Sequence, residues 1–363
     1  MEHPIHFLQE TDGFYEEVKR EVAAYVKSSE TGGFASGVFF VKAGVLVFFY
    51  LLLYAVLLYA ESATIALIAM TLMGPFAIFI GINVAHDAAH SSISKKQWMN
   101  SSFLLLFDFL GANSYIWKKR HVFSHHIFPN ILNADADLKQ NPMVRIFPDD
   151  EIKGYHRFQF IYAPFLYLLY TINWLFFRDF QDFKKQAIGS LKFRGHEKTE
   201  YLKLIFFKII YVSYILILPL VFSSLTGWQL LLGFLLMNFT ASITITLALI
   251  PSHVAEDSAF PLPDESGQIR TSWSHHQLHT IRDFATSNWF LNFLFGGFNH
   301  HLAHHLFPKI CHVHYVSITP IIKETAKRLG LPYHYEPSFI NAYLSHYKLL
   351  KKNGLQMNLA EVA

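Results

Sequence analysis

Residues 209–250 read IIYVSYILILPLVFSSLTGWQLLLGFLLMNFTASITITLALI, and no Asp, Glu, Lys or Arg interrupts them. A helix of just over 40 such residues is roughly 60 Å long at about 1.5 Å per residue. That is enough to cross a hydrocarbon core about 30 Å thick twice. Ser223-Ser224-Leu225-Thr226-Gly227 marks the turn between the crossings. Residues 43–85 repeat the pattern, with Glu61 as the single charge and Glu61-Ser62 as the turn. The sequence thus predicts an all-α integral membrane protein with four transmembrane helices in two hairpins. Its spans fall at about 38–60, 63–85, 204–222 and 228–250. Pro75 and Pro219 lie inside spans, where neighbouring helices re-satisfy the freed carbonyls.

Working outward, the composition agrees with a bilayer. Of 363 residues, 52% are hydrophobic and 16% charged, with a mean hydropathy of +0.25; a soluble domain carries about 25% charged residues. A net charge of +3 supplies no strong basic field and no case for nucleic-acid binding. The single cysteine, Cys311, excludes a disulfide framework and any multi-cysteine metal centre. The first 37 residues stay polar, without a basic segment leading into a short apolar core, so no cleavable signal peptide is expected.

Residues 86–203 hold sixteen of the thirty Lys and Arg, and the chain after 250 holds nine more. By the positive-inside rule both segments and the N-terminus face the cytoplasm. This divides the chain into a cytoplasmic segment 1–37, a membrane domain 38–345 with a cytoplasmic helical cap, and a tail 346–363. The membrane is the bacterial inner membrane, or the endoplasmic reticulum in a eukaryote. Phe158–Phe177 is uncharged for 20 residues, yet it contains Pro164 and ends in Arg178-Asp179-Phe180-Gln181-Asp182. Crossing there would separate the histidine groups described next, so a helix lying in the interface is expected.

Eight histidines fall in three groups: His86 and His90, then His121, His125 and His126, then His301, His304 and His305. Spacings of three and four put side chains on one helix face. Isolated histidines such as His156, His196, His334 and His346 read as hydrogen-bonded core residues. Three groups just beyond apolar spans instead require something to hold them neutral and oriented, and a bound cation does that. A single zinc takes four ligands, so eight imidazoles suffice for two metals with open positions. The pattern His-Glu-x-x-His is absent, since His196-Glu197 is followed by Tyr201. Two irons activating oxygen fit best, with two coppers as the alternative.

The order HxxxH (86–90), HxxxHH (121–126) and HxxHH (301–305), split by hydrophobic hairpins, resembles the membrane fatty-acid desaturase family. The similarity runs from about 38 to 345. Gly111-Ala112-Asn113-Ser114-Tyr115, Trp273-Ser274-His275-His276-Gln277 and His304-His305-Leu306-Phe307-Pro308 resemble front-end, linoleoyl-CoA type members acting on acyl-CoA or acyl-lipid. Such members commonly carry Gln at the first position of the third box and an amino-terminal cytochrome b5 domain. Here that position is His301, and no His-Pro-Gly-Gly haem motif occurs. The resemblance implies a cytoplasmic-face di-iron site with O2 as co-substrate, and a cis double bond placed in a long acyl chain. It further implies a ligand at the cytoplasmic end of the fourth span, which is His253; His279 is a further candidate ligand or orienting residue, and His275, His276 and His300 are weaker ones. Asp87, Asn130, Asp135, Asp137 and Asn299 are placed to hold the far nitrogen of a ligating imidazole, with solvation or capping as the bland alternative.

The chain carries no Gly-x-Gly-x-x-Gly fingerprint and no cysteine quartet. Electrons must come from a separate donor of ferredoxin or cytochrome b5 type with its reductase. Lys118, Lys119 and Arg120 stand before the second box as contacts for that donor, for a substrate phosphate, or for anionic headgroups. A hydroxylase or ketolase on the same scaffold is the nearest rival. A transporter is not favoured, because the spans are almost free of ionisable residues.

Overall fold

The apolar runs become the longest helices of the protein. The computed structural model describes residues 3–138 and 141–355 and is mostly helical. Four helices among these residues are long and apolar enough to cross a membrane: Gly37–Tyr59, Ala63–Ala89, Lys198–Phe222 and Gly227–His253. The last begins on a capping box, in which Thr226 accepts from the Gln229 N–H and the Gln229 side chain accepts from the Thr226 N–H. The second and fourth helices overrun their expected ends, so that His86 and His253 ride on the same rods as the apolar spans.

The Ala63–Ala89 helix packs between Gly37–Tyr59 and Gly227–His253. Its approach to the latter is set by glycines: a Cβ on Gly74 would collide with the Met237 carbonyl oxygen and Thr240, and one on Gly233 would meet Met70 Sδ at 2.8 Å. Without a hydrophobic force between helices in lipid, such close backbone contact is what holds them together. Leu57, Ala66, Met70, Met73 and Ile215 are buried in this bundle. Phe48, Leu51, Phe206 and Trp228 remain exposed on its outside, as a lipid-facing surface requires.

The uncharged run 158–177 is two helices, not one. His156–Tyr167 and Tyr170–Phe183 meet at 73°. Pro164 lacks an N–H, and Leu168 and Leu169 close tight turns onto Phe165 and Leu166 at 3.2 and 3.0 Å. Both arms line the cavity described below.

The polar segments build a second core. Phe14, Val18 and Val22 of the Phe14–Ser28 helix pack with Leu302, Leu306 and Ile318. Two two-stranded ribbons tie distant segments together, His6–Leu8 with Gln268–Ser272 and Asp283–Phe284 with Tyr335–Glu336, and a third, Ala187–Ile188 with Leu191–Lys192, is a local hairpin. Phe339–Leu355 is one continuous helix through residue 346; the rest of the tail, 356–363, lies outside the described residues.

Gly74→Ala sets two effects against each other. Alanine gains about 1 kcal/mol of helix propensity, whereas overpacking against backbone costs about 1–3 kcal/mol. The collision is with a carbonyl oxygen that cannot rotate away. Thermal unfolding in detergent is expected to show a lower Tm; an unchanged or higher Tm would refute the close crossing.

Candidate metal centre

Each histidine group sits on an element that ends at the same point. The first follows a π-helical turn, Gly81–Ala85, at the end of the second apolar helix. The second group begins where the Ser114–Arg120 helix, capped by Asn113 Oδ1 on the Ile116 N–H at 2.9 Å, passes into a π turn at His121–His125. The third lies on the helix His301–Leu306, whose Leu302 N–H donates to Asp283 Oδ1 at 2.9 Å. Asp283 Oδ2 accepts from the Tyr333 hydroxyl at 2.7 Å, and burial raises this carboxyl to about 6. His253 is the last residue of the fourth apolar helix.

Two groups of four imidazoles result. In one, ligand atoms of His86, His90, His121 and His304 all lie within 4.8 Å of one another; in the other, those of His125, His253, His301 and His305 do. His126 stands between them, its Nε2 at 3.1 Å from His121 Nε2 and its ring stacked on His305 at 4.2 Å. All nine are 5% exposed or less.

Four of the nine rings are held by Nδ1 from outside the cluster, whereas Nδ1 of His86, His126, His253 and His301 is buried with no hydrogen-bond partner among the described residues. Nδ1 of His121 donates to Asp137 at 3.0 Å, Nδ1 of His125 to Asp135 at 2.9 Å and Nδ1 of His305 to Gln277 Oε1 at 2.9 Å. His304 Nδ1 is hydrogen-bonded to the Tyr315 hydroxyl at 3.2 Å. On the inner side, Nε2 of His90, His304 and His305 is buried with no hydrogen-bond partner among the described residues. Nε2 pairs approach closely: His86–His121 at 3.1 Å, His125–His253 at 3.1 Å and His301–His253 at 2.7 Å. Nitrogens bound about 2.1 Å from one ion at right angles stand about 3.0 Å apart. The donor set therefore fits two transition-metal ions of the class that prefers imidazole.

The electrostatics keep most of the rings in ligand form. Burial, and then repulsion from neighbouring imidazoles, holds His90, His121, His126, His301, His304 and His305 well below the usual histidine range. His125 moves up, because Asp135 and Asp137 outweigh its burial.

A cavity of about 540 Å³ starts at this cluster, with His86, His121, His125, His253 and His301 in its wall. It continues between the apolar helices past Ile82, Phe107, Leu175 and Met237. Trp117 lines it where it meets the metal ligand candidates, its ring stacked on His121 at 4.4 Å.

A family model described as "Fatty acid desaturase" matches residues 61–337. The chain belongs to the fatty acid desaturase family. It is similar to an acyl-lipid (8-3)-desaturase of Physcomitrium patens, at 32% identity over 95% of this chain and 72% of the relative. A sn-1 linoleoyl-lipid 6-desaturase of Synechocystis sp. is 34% identical over 75% of this chain and 76% of that one. A Delta(5) fatty acid desaturase A of Dictyostelium discoideum is 32% identical over 97% and 77%. The protein is a fatty acyl desaturase, an oxidoreductase.

Within this desaturase several residues take places the sequence did not indicate. His279 is exposed and stays outside both groups, whereas Gln277, two residues earlier, reaches His305. Asp87 bonds His312 Nδ1 at 2.8 Å and Cys311 Sγ at 3.0 Å, and stands 3.9 Å from His86 Nδ1. Asn130 acts one step back: its N–H donates to Asp135 Oδ2 and its side chain to the His253 carbonyl, each at 2.9 Å. Asn299 bonds Asn292 at 2.5 Å rather than any ring of the cluster. Arg120 is no surface contact; it is buried, pairing with Asp182 at 2.7 Å and with Asp137 at 3.3 Å. Lys118 and Lys119 are half-buried, and Lys119 lies 4.6 Å over the Phe193 ring. Gln277, Tyr315 and Asp283 carry no motif of their own. The only pointer to any of them was the placing of Gln277 in the quoted 273–277 stretch.

Gln277→Leu removes the acceptor on His305 while keeping the volume. Loss of such an outer partner costs about 10–100-fold in metal affinity. Metal per chain after dialysis against a mild chelator is expected to fall, and an undiminished content would show that this hydrogen bond does not orient a ligand.

Proposed function

We propose that this desaturase inserts a cis double bond into a long acyl chain at a pair of iron ions held by the nine buried histidines. The observation that carries the reading is the meeting of two four-imidazole groups with the head of an apolar cavity. His86, His90, His121 and His304 would hold one ion and His125, His253, His301 and His305 the other, with His126 between them. When bound, iron supplies the redox chemistry with O2 that removes hydrogen from an unactivated methylene, which no side chain can do. The overall change is R–CH2–CH2–R′ + O2 + 2 e⁻ + 2 H⁺ → R–CH=CH–R′ + 2 H2O.

The protein's own residues position and protect. The cavity takes the acyl chain and excludes water from it. Trp117 and Phe298, both in the cavity wall, press on His121 and His86 and so fix the place where the chain passes the rings. Asp135, Asp137, Gln277 and Tyr315 orient the imidazoles from outside.

The four apolar helices would cross the membrane as two hairpins, with the polar segments as a cap on the cytoplasmic side. The sixteen Lys and Arg between the hairpins, and the absence of Lys and Arg from both turns, support that orientation. Relatives named for acyl-lipid substrates and for positions 5 and 6 support a lipid-linked chain desaturated near its carboxyl end. Reducing equivalents would come from a separate ferredoxin or cytochrome b5 type donor. Hydroxylation or ketolation of a lipid, sterol or carotenoid is not favoured, since the relatives are desaturases.

The test is the fatty-acid profile, with double-bond localisation by mass spectrometry, of cells expressing the chain with a donor system beside cells expressing His304→Ala. A new unsaturated acid is expected, absent from the variant although it still inserts in the membrane. A hydroxylated product, or full activity of the variant, would contradict the assignment.

A further inference from the structure

The second histidine group is covered on its outer side by one small element. Ala187–Ile188 and Leu191–Lys192 form an antiparallel ribbon whose turn contains Gly189, with φ +56°. A Cβ on Gly189 would collide with Ser124 Oγ and the Ala134 carbonyl oxygen. Only glycine therefore lets this turn rest on Ser124, which lies between His121 and His125. Ile188 packs with Ile116 and Ala136 beneath. The inner face of the ribbon is thus seated against the metal centre's own scaffold.

Its outer face is cationic. Lys184, Lys185, Lys192 and Arg194 are exposed, and no Asp or Glu occurs between 183 and 196. Lys185 and Lys192 flank one shallow groove with Phe193, and Lys119 extends the same surface over the Phe193 ring. A hydrogen-bonded chain joins this patch to the centre. Lys185 pairs with Asp182 at 2.7 Å, Asp182 with Arg120 at 2.7 Å, Arg120 with Asp137 at 3.3 Å, and Asp137 with His121 at 3.0 Å.

We propose that this ribbon is the docking surface for an acidic one-electron carrier protein, which would deliver electrons through the Gly189–Ser124 contact and the Asp182–Arg120–Asp137 chain. The inference rests on the functional reading above, which requires two external electrons per double bond, delivered singly by the reduced carrier, which is oxidised. Charge complementarity selects the partner: a cationic ribbon without Asp or Glu between 183 and 196 calls for a carboxylate-rich face. The bonded chain favours a redox protein over a lipid headgroup, which needs cations but no route to the metal.

The test is turnover of the membrane-embedded holoenzyme and of Lys184→Glu/Lys192→Glu/Arg194→Glu, leaving Lys185 to hold Asp182. Reductants are an acidic [2Fe–2S] ferredoxin, soluble cytochrome b5, and, for a single turnover, anaerobic pre-reduction by dithionite with a viologen mediator, both removed before O2 is admitted. For the protein donor that supports wild-type turnover, KM is expected to rise on the order of tenfold and its salt dependence to flatten, with mediator-driven turnover unchanged. An unchanged KM and salt dependence would overturn the proposal. So would wild-type turnover with the mediator but with neither protein donor. Weakened binding to phosphatidylglycerol vesicles with intact donor kinetics would assign the patch to lipid instead. Wild-type inactivity even with the mediator would overturn the functional reading, and this proposal with it.

Discussion

Nine buried imidazoles facing one another are unfavourable without a cation among them. Desolvation and mutual repulsion keep most of them neutral, and neutral rings left with inward Nε2 atoms unpartnered cost free energy on burial. Metal ligation would resolve both problems, and much of the architecture serves that arrangement. The two longest apolar helices each end in a ligand candidate, His86–His90 and His253. Asp283, Gln277 and Tyr315 fix the third group from outside, while Asp135, Asp137 and the buried Arg120 fix the second.

The same helices that carry the ligand candidates enclose the apolar cavity, so the cavity and the histidine cluster are set by one packing problem. Gly74 and Gly233 bring two helices close below the cluster, and the bent pair 156–183 supplies another wall. A change in helix spacing would therefore alter the cavity and the ligand geometry together. Enzymes that act on unactivated methylenes depend on such shared rigidity, because the bound chain offers no polar handle near the reacting carbons.

Much of this was legible in the sequence for physical reasons. Charge-free length is a direct signature of a span, and the three histidine groups name the residues that meet. Helical spacing could not show how they meet. The π turns at Gly81–Ala85 and His121–His125 add one residue per turn and carry no side-chain signal, yet the first leads into His86 and the second carries His121 and His125. His279 read as a stronger ligand candidate than His275 or His276, but on a helix it lies about 200° round from Gln277, and it faces solvent. Arg120 read as a surface cation because its partners, Asp137 and Asp182, are distant in sequence. Tyr315 and Asp283 escaped notice because hydroxyls and carboxylates are common and only the tertiary fold selects these two.

The central claim is that the two four-histidine groups each hold an iron ion. Mass-spectrometric metal analysis of protein purified anaerobically from iron-replete cells tests it directly. Two irons per chain are expected. One metal per chain, or a stoichiometric content of zinc or copper, would contradict the account.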